Sequence, residues 1–262
     1  MKRHYLELWL LLLCGFIIFA VLSAFGPVTI GEYELKSSGI AEVFTPPEKQ
    51  MLVEDVILAD MLEVEAEIAR PQCDSVPKTI LFIGDSMLDG LSPRLAAYAD
   101  ANGHTLYAVI WYSSTSERWG NSDKLRHYID KVHPDYIFIC LGANELFVKD
   151  IERKRRDYVR NIVNEIDSIP FLWIGPPNWK DDTGINRLIA ENVPQGCFFL
   201  SKDMTFERAK DGAHPTPASA AAWMDSVVRW MPDNSAHPIL LDMPHAAKSR
   251  AKRVFVHQPD EK

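Results

Sequence analysis

Two patterns of hydrophobic and polar positions divide this chain. From residue 79 to residue 230, short and continuously apolar runs alternate with amphipathic segments. Runs that are apolar at every position are typical of parallel strands covered on both faces. The strands are expected at 79–83, 105–110, 136–141, 171–174 and 197–200, and the helices at 91–101, 122–132, 151–169, 183–191 and 216–231. This alternation predicts a doubly wound α/β domain, 78–232, built on a parallel five-stranded sheet.

The first 30 residues carry a different pattern. No charged residue occurs from 8 to 25, and a helix that crosses a bilayer needs about 20 mainly apolar residues. Lys2 and Arg3 precede this run, and acidic residues follow it, which favours a cytoplasmic N-terminus. We expect a transmembrane anchor in 1–30 and a periplasmic or otherwise extracytoplasmic body. A cleaved signal peptide and a buried soluble helix are the alternatives.

An acidic segment joins the anchor to the sheet domain. Apolar residues at 52, 56, 61, 64 and 68 have nearly helical spacing with acidic residues between them. We predict a helix at 48–69 within a stalk that spans 31–77. This helix either packs on the body or binds a protein partner. The C-terminal tail, 233–262, has only scattered apolar patches and is expected to be partly disordered or draped on the body.

Composition excludes several classes of function. Lys and Arg total 28 against 36 Asp and Glu, for a net charge of −8, so nucleic acid is an improbable partner. Four cysteines in 262 residues do not make a disulfide-stapled scaffold. No Cys-x-x-Cys or His-x-x-x-His pair is present, so neither a structural metal nor a cofactor is expected.

Candidate chemistry follows the ends of the first and third predicted strands. Ligands of open α/β sheets bind beyond the carboxyl ends of the strands. Ser86 follows the first strand in the triplet Gly84-Asp85-Ser86, at the start of a helix, where free N–H groups stabilise an oxyanion. After the third strand, Gly142 lets the backbone approach a ligand, and Asn144 offers an amide donor that does not titrate.

A histidine and a carboxylate follow the fifth strand. His214 comes three residues after Asp211 on a tight turn, a spacing at which a carboxylate can orient an imidazole base. Each of these signals alone also fits a helix cap or an ordinary turn. Because all of them map to one edge of the sheet, together they predict a serine nucleophile with its base and oxyanion donors.

These three motifs resemble the first, third and fifth blocks of the SGNH/GDSL hydrolase family. The resemblance covers about 79–231 and implies a flavodoxin-like sheet of order 2-1-3-4-5 and metal-free ester chemistry. It implies Ser86 as nucleophile, His214 as general base and Asp211 as its orienting carboxylate. Asn144 and backbone N–H groups, with Gly142 beside them, would form the oxyanion hole.

The sequence departs from the family pattern in two places. Glu145 stands where the third block usually has Asp. No glycine follows the second strand, although the family takes an oxyanion-hole N–H from a glycine there. The loop at this point, 111–120, is rich in serine, and the N–H of Ser113 or Ser114 would have to replace that donor.

The same loop is similar to family members that act on polysaccharides outside the membrane. It contains Arg118 and Trp119 as candidate substrate-binding residues, and Trp111, Tyr112 and Trp179 either stack on sugars or pack in the core. We expect a serine-dependent hydrolase of O-acylated cell-envelope carbohydrate, with acetyl as the expected acyl group and acyl-Ser86 as the intermediate. The alternatives are a polysaccharide O-acetyltransferase with the same site and a non-catalytic envelope binding or scaffold protein.

Overall fold

The computed structural model describes residues 5, 9–18, 28–30, 33–35 and 73–260, and the chain divides into two compact units, 1–69 and 70–262. In the first unit, residues 9–18 are helical. Strand β1, Val28–Ile30, pairs with β2, Tyr33–Leu35, in an antiparallel hairpin. The last residues assigned to the predicted anchor are therefore extended.

The membrane anchor and the acidic helix gain no support in the described ranges. No helix within them combines the length and the hydropathy that a membrane span requires. Much of the predicted anchor, and all of the predicted helix at 48–69, lie outside the described residues.

A six-stranded parallel sheet forms the second unit. Its strands are β3 (Thr79–Gly84), β4 (Thr105–Trp111), β5 (Tyr136–Cys140), β6 (Phe171–Ile174), β7 (Phe198–Phe199) and β8 (Arg253–His257). They lie in the order β7-β6-β5-β3-β4-β8, and every neighbouring pair is parallel. The predicted α/β fold with a parallel sheet is confirmed, and its first five strands follow the expected order.

Six helices accompany the sheet in the described part of this unit. They are α1 (Leu88–Ala101), α2 (Ser116–Gly120), α3 (Lys124–Val132), α4 (Ile151–Ile166), α5 (Ile185–Asn192) and α6 (Pro217–Asn234). Alternate side chains of β3 point to opposite faces of the sheet. Ile80 and Phe82 belong to the core that contains α1 and α6 residues, and Leu81 and Ile83 to the core that contains residues of α3, α4 and α5. Two apolar layers therefore cover the sheet, which explains its uninterrupted apolar strands.

The boundaries of some elements differ from those predicted. Helix α1 begins three residues earlier than expected, because the buried Asp85 carboxylate accepts a hydrogen bond from the Met87 N–H at 2.9 Å and starts the helix directly after the strand. The short helix α2 was not predicted. It begins after Thr115, whose hydroxyl caps it by accepting from the Arg118 N–H.

The tail contains a strand that was not predicted, because residues 253–257 form the sixth strand. A five-stranded sheet would leave the outer edge of β4 with unpaired backbone groups, and β8 pairs with that edge. The Tyr112 N–H donates to the His257 carbonyl at 3.0 Å, and the Phe255 ring centroid lies 4.9 Å from that of Tyr128. The tail is thus an integral part of the body.

Side chains that alternate along β8 provide a test of this strand. Phe255 packs against the core, whereas Val256 is exposed. Phe255→Ala is expected to lower the free energy of unfolding by about 1–3 kcal/mol, less than for a fully buried Phe. Val256→Ala, the matched control, should change it by less than about 0.5 kcal/mol. Urea denaturation measures both, and equal effects would contradict the sixth strand.

Candidate active site

The turn after the central strand presents Ser86. A Cβ on Gly84 would lie 2.2 Å from the Cys140 carbonyl oxygen and 2.4 Å from Leu88 Cδ1, so only glycine allows β3 to end this close to β5. The chain then turns directly into α1. Ser86 therefore lies at the N-terminal end of a helix, where the helix dipole and free N–H groups favour negative charge.

A second turn, just before α6, presents His214. One carboxylate oxygen of Asp211 accepts from the N–H groups of Ala213 at 2.9 Å and His214 at 3.0 Å. The Arg208 guanidinium donates to the Ala213 carbonyl at 2.6 Å and so braces the same turn. Thr216 caps α6 immediately afterwards. The local sequence thus holds the imidazole at the start of the helix.

Ser86, His214 and Asp211 form one hydrogen-bonded chain. His214 Nε2 lies 2.8 Å from Ser86 Oγ, and His214 Nδ1 lies 2.7 Å from Asp211 Oδ2. Hydrogen bonds from the two backbone N–H groups, of His214 first, and then from the imidazole lower the pKa of Asp211 to about 2. Asp211 is therefore a carboxylate at any physiological pH, and it favours the tautomer of His214 that carries its proton on Nδ1.

Asp85, next to the nucleophile, is a carboxyl group of the opposite kind. It is fully buried, and Oδ2 has no hydrogen-bond partner among the described residues. Its pKa is raised to about 7, mainly by burial; the Met87 N–H opposes this rise, and the charge of Glu145 adds to it. Its hydrogen bond to Met87 shapes the turn on which Ser86 lies.

The structure distinguishes Ser113 from Ser114, whose N–H groups were the two alternative donors predicted in the serine-rich loop. The Ser114 N–H donates to the Trp111 carbonyl at 3.0 Å, so this N–H is not available to a substrate. Ser113 instead lines the same groove as Ser86 and His214, and its N–H makes no hydrogen bond within the described part of the chain. Its φ of 55° is the left-handed conformation that glycine adopts most readily. Ser113 therefore stands in a glycine-like conformation at the end of the second strand.

Asn144 connects the third motif to this loop. Its side-chain amide donates to the Ser114 carbonyl at 3.0 Å, and the second N–H of the amide group remains for a ligand. Neither Asn144 nor Gly142 is among the residues that line the groove, and the place of Gly142 in the oxyanion hole stays a prediction. Its φ of 121° and its proximity to Pro176 and Ile185 make it a turn residue that sets the path of the chain toward Asn144.

Glu145 fixes the serine-rich loop, 111–120, through hydrogen bonds to Ser116. Its buried carboxylate accepts from the N–H and the hydroxyl of Ser116, each at 2.8 Å, and from Arg155 Nε at 2.8 Å. Burial raises its pKa, against these hydrogen bonds. Sequence reasoning identified Glu145 only as a departure from the family pattern. The sequence did not identify Ser116 and Arg155 as partners of Glu145, because both lie far from the third motif in the chain and no local pattern marks them as its partners.

The two candidate substrate-binding residues of the serine-rich loop lie elsewhere. Trp119 is 0% exposed, and its indole N–H donates to Ser114 Oγ at 2.9 Å, so it is a core residue. The Arg118 guanidinium donates to the Pro259 carbonyl and lines a different cavity from that of Ser86. Of the other aromatic candidates, Trp111 is buried, whereas Tyr112 and Trp179 are half-buried.

A groove of about 760 Å³ opens at Ser86 and His214. Ser86, Ser113 and His214 line it together with residues of α1, α6 and the C-terminal tail. The imidazole is 39% exposed and the Asp211 side chain 52%, so water reaches the site. The arrangement provides a nucleophile and a base with its orienting carboxylate, and the loops after β4 and β5 hold candidate oxyanion donors in Ser113 and Asn144.

Comparison with known proteins gave matches only among solved structures. The psychrotrophic esterase EstA from a Pseudoalteromonas species is 17% identical, covers 58% of this chain and 98% of its own, and has a TM-score of 0.44. A structure of TesA is 17% identical, covers 57% and 95%, and has a TM-score of 0.44. A lipolytic protein described as putative and of the G-D-S-L family, from Desulfitobacterium hafniense, is 14% identical, covers 58% and 98%, and has a TM-score of 0.37.

No protein-family model and no curated protein matches the chain. Similarity at the level of these structures does not identify a reaction, which has to be inferred from the geometry of the site. The fold and site define an α/β protein with a serine-hydrolase-type triad at the edge of a parallel sheet. Its three motifs resemble those of the SGNH/GDSL hydrolases.

The buried Asp85 predicts a pH dependence of stability. The pKa of Asp is about 4 in an unfolded chain and about 7 for Asp85 in this fold. Protonated Asp85 therefore stabilises the fold fully below about pH 4, and this contribution is lost as the pH rises through about 7. Asp85→Asn cannot titrate and so removes this pH dependence. The free energy of unfolding of the variant minus that of wild type should therefore rise by at most about 4 kcal/mol as the pH goes from about 4 to about 7.

Urea denaturation across this pH range measures that difference. Asp130→Asn, which removes an exposed carboxylate of α3, controls for the loss of one surface charge. A difference between Asp85→Asn and wild type that does not vary with pH would contradict a protonated Asp85.

Proposed function

We propose that this protein is a serine ester hydrolase of the SGNH/GDSL type, which acts outside the cytoplasmic membrane on O-acylated cell-envelope carbohydrate. One observation carries the assignment of the chemistry. The Ser86 hydroxyl, the His214 imidazole and the Asp211 carboxylate form a continuous hydrogen-bonded chain, with distances of 2.8 and 2.7 Å. A non-catalytic scaffold would not need three polar side chains aligned in this way beside a groove.

The proposed reaction has two acyl-transfer steps. Ser86 Oγ attacks the ester carbonyl carbon while His214 Nε2 takes the hydroxyl proton. The alcohol then leaves with that proton, and the acyl group remains bonded to Ser86. Water attacks the carbonyl carbon of the acyl-enzyme and gives one proton to His214 Nε2. The bond between Ser86 Oγ and the acyl carbon then breaks, Ser86 Oγ takes that proton back from His214, and the carboxylic acid leaves. In both tetrahedral intermediates the oxyanion accepts from the Ser113 N–H and the free N–H of Asn144.

Access of water supports hydrolysis over transfer. An O-acetyltransferase with the same triad would have to keep water from the acyl-enzyme and hold a sugar hydroxyl in its place. The His214 side chain is instead 39% exposed, so water reaches it. We therefore favour the esterase over the transferase.

Aromatic side chains beside the third motif support a carbohydrate substrate. The Trp179 indole N–H donates to the Ala143 carbonyl at 2.9 Å, next to Asn144. The exposed Phe147 ring lies 6.3 Å from Trp179, and Lys180 Nζ lies 4.6 Å from the Trp179 ring centroid. Such half-exposed rings with a polar neighbour are suited to stacking on sugars. The extracytoplasmic location rests on the uncharged run 8–25 and its flanking charges.

Covalent labelling tests the proposed chemistry. A fluorophosphonate should form an adduct on Ser86 in the folded protein, and the protein should hydrolyse p-nitrophenyl acetate. Ser86→Ala is expected to lose the adduct and to lower kcat by at least about 10³-fold. Ser226→Ala, on the outer part of α6 and outside the groove, is the matched control. A folded wild-type protein without adduct or turnover would overturn the assignment.

The conformation of Ser113 provides a separate prediction. A β-branched residue is strongly disfavoured at a φ of 55°, so Ser113→Val should displace the loop and misdirect its N–H. We expect kcat to fall by about 10- to 100-fold, toward the effect of losing one oxyanion donor. Ser113→Gly adopts the same conformation without strain and should keep kcat within about threefold. Wild-type kcat in Ser113→Val would exclude this N–H as a donor.

A further inference from the structure

The groove continues away from the catalytic pair between two helices. Gly90 and Pro93 of α1 face Pro217, Ala218 and Ala221 of α6 across it. A Cβ on Gly90 would lie 2.6 Å from Ala220 Cβ, so the two helices are in close contact and the walls are held in place. The volume of about 760 Å³ lies within the range of about 300–1,000 Å³ of small-molecule sites.

A segment of the C-terminal tail, residues 242–249, forms the third wall, and we call it the strap. Ala247 and Lys248 line the groove. Arg94 Nη1 donates to the carbonyls of Ala246 at 3.0 Å and Ala247 at 3.3 Å, and the Ser249 N–H donates to the Pro93 carbonyl at 2.9 Å. Because these bonds join the strap to α1, it is a fixed part of the groove.

Polar side chains in the walls are largely occupied by other protein groups. Arg94 Nε pairs with Asp225 at 2.6 Å, and its remaining contacts go to the strap. The Tyr112 hydroxyl donates to Asp89 at 2.8 Å. Lys248 is exposed. Beyond the catalytic residues, the groove therefore offers mainly apolar surface and few hydrogen-bonding groups.

We propose that this groove binds the acyl chain of the substrate, and that the protein acts on esters of acyl groups several carbons longer than the acetyl group expected from the sequence. The inference rests on the proposed function. In the acyl-enzyme the acyl carbon is bonded to Ser86 Oγ, so the chain begins at a residue that lines the groove. A carbohydrate needs hydrogen-bonding partners, which these walls lack and the region around Trp179 and Lys180 offers. An acetyl group would leave most of the volume without contacts.

Two ester series measure which part of the substrate enters the groove. The first varies the acyl chain at a constant leaving group, with p-nitrophenyl acetate, butyrate, hexanoate and octanoate. The second varies the alcohol at a constant acyl group, with methyl, butyl and octyl acetate. We expect kcat/KM to rise by roughly two- to fourfold per methylene in the first series, as expected for burial of methylenes, and to stay nearly constant in the second.

Substitutions in the α6 wall test the location. Ala221→Phe fills the groove and should lower the ratio of octanoate to acetate kcat/KM by at least about tenfold, the effect of excluding a few methylenes. Ala218→Phe, one turn earlier on the same wall, should do the same and covers the case in which the first variant does not fold. Ala222→Phe, exposed and outside the groove, is the matched control and should keep the wild-type ratio.

The outcomes separate this proposal from the one on which it rests. Turnover that favours acetate, or an unchanged ratio in both wall variants, would overturn the acyl groove alone. A response of the alkyl acetate series to Ala221→Phe would assign the groove to the alcohol and would also overturn it. Absence of turnover of every ester, together with absence of a fluorophosphonate adduct on Ser86, would overturn both.

Discussion

Parallel, in-register pairing of the central strands is the constraint on which the site depends. Gly84 at the end of β3 pairs with Ile110 of β4 and with Cys140 of β5, so three strands end at one level. The segments that follow them carry Ser86, Ser113 and Asn144. Each crossover helix returns the chain to the end of the sheet where the strands begin. The loops that follow the strands therefore all emerge at the other end, beside one another. Groups far apart in sequence therefore meet without any motif that specifies their contact.

Two carboxyl groups beside Ser86 and His214 have opposite environments. Asp211 lies on an exposed turn and accepts hydrogen bonds from two backbone N–H groups, which keep it ionised. Asp85 is buried behind the nucleophile, and the loss of solvation favours its neutral form near neutral pH. The negative charge that orients His214 therefore comes from the exposed group, while the buried one shapes the turn that carries Ser86.

The C-terminal tail contributes to this protein in two ways. Residues 253–257 complete the sheet at the edge of β4, and the strap forms a wall of the groove. The same tail supplies carbonyls that occupy Arg118 and part of Arg94. A segment without a clear hydrophobic pattern thus decides which side chains face the groove and which are withdrawn from it.

The amino-acid sequence by itself determined the alternation of strands and helices and the order in which Ser86, Asn144 and His214 follow the first, third and fifth strands, because strand burial and turn chemistry are local properties. Only the tertiary structure decided that 253–257 is a strand, since an edge strand depends on a partner more than 140 residues away. It also decided that the Ser114 N–H donates to the Trp111 carbonyl, that the Ser113 N–H makes no hydrogen bond within the described residues, and that Trp119 is a core residue. Those outcomes depend on backbone dihedral angles and on packing between distant segments, which residue type and spacing do not encode.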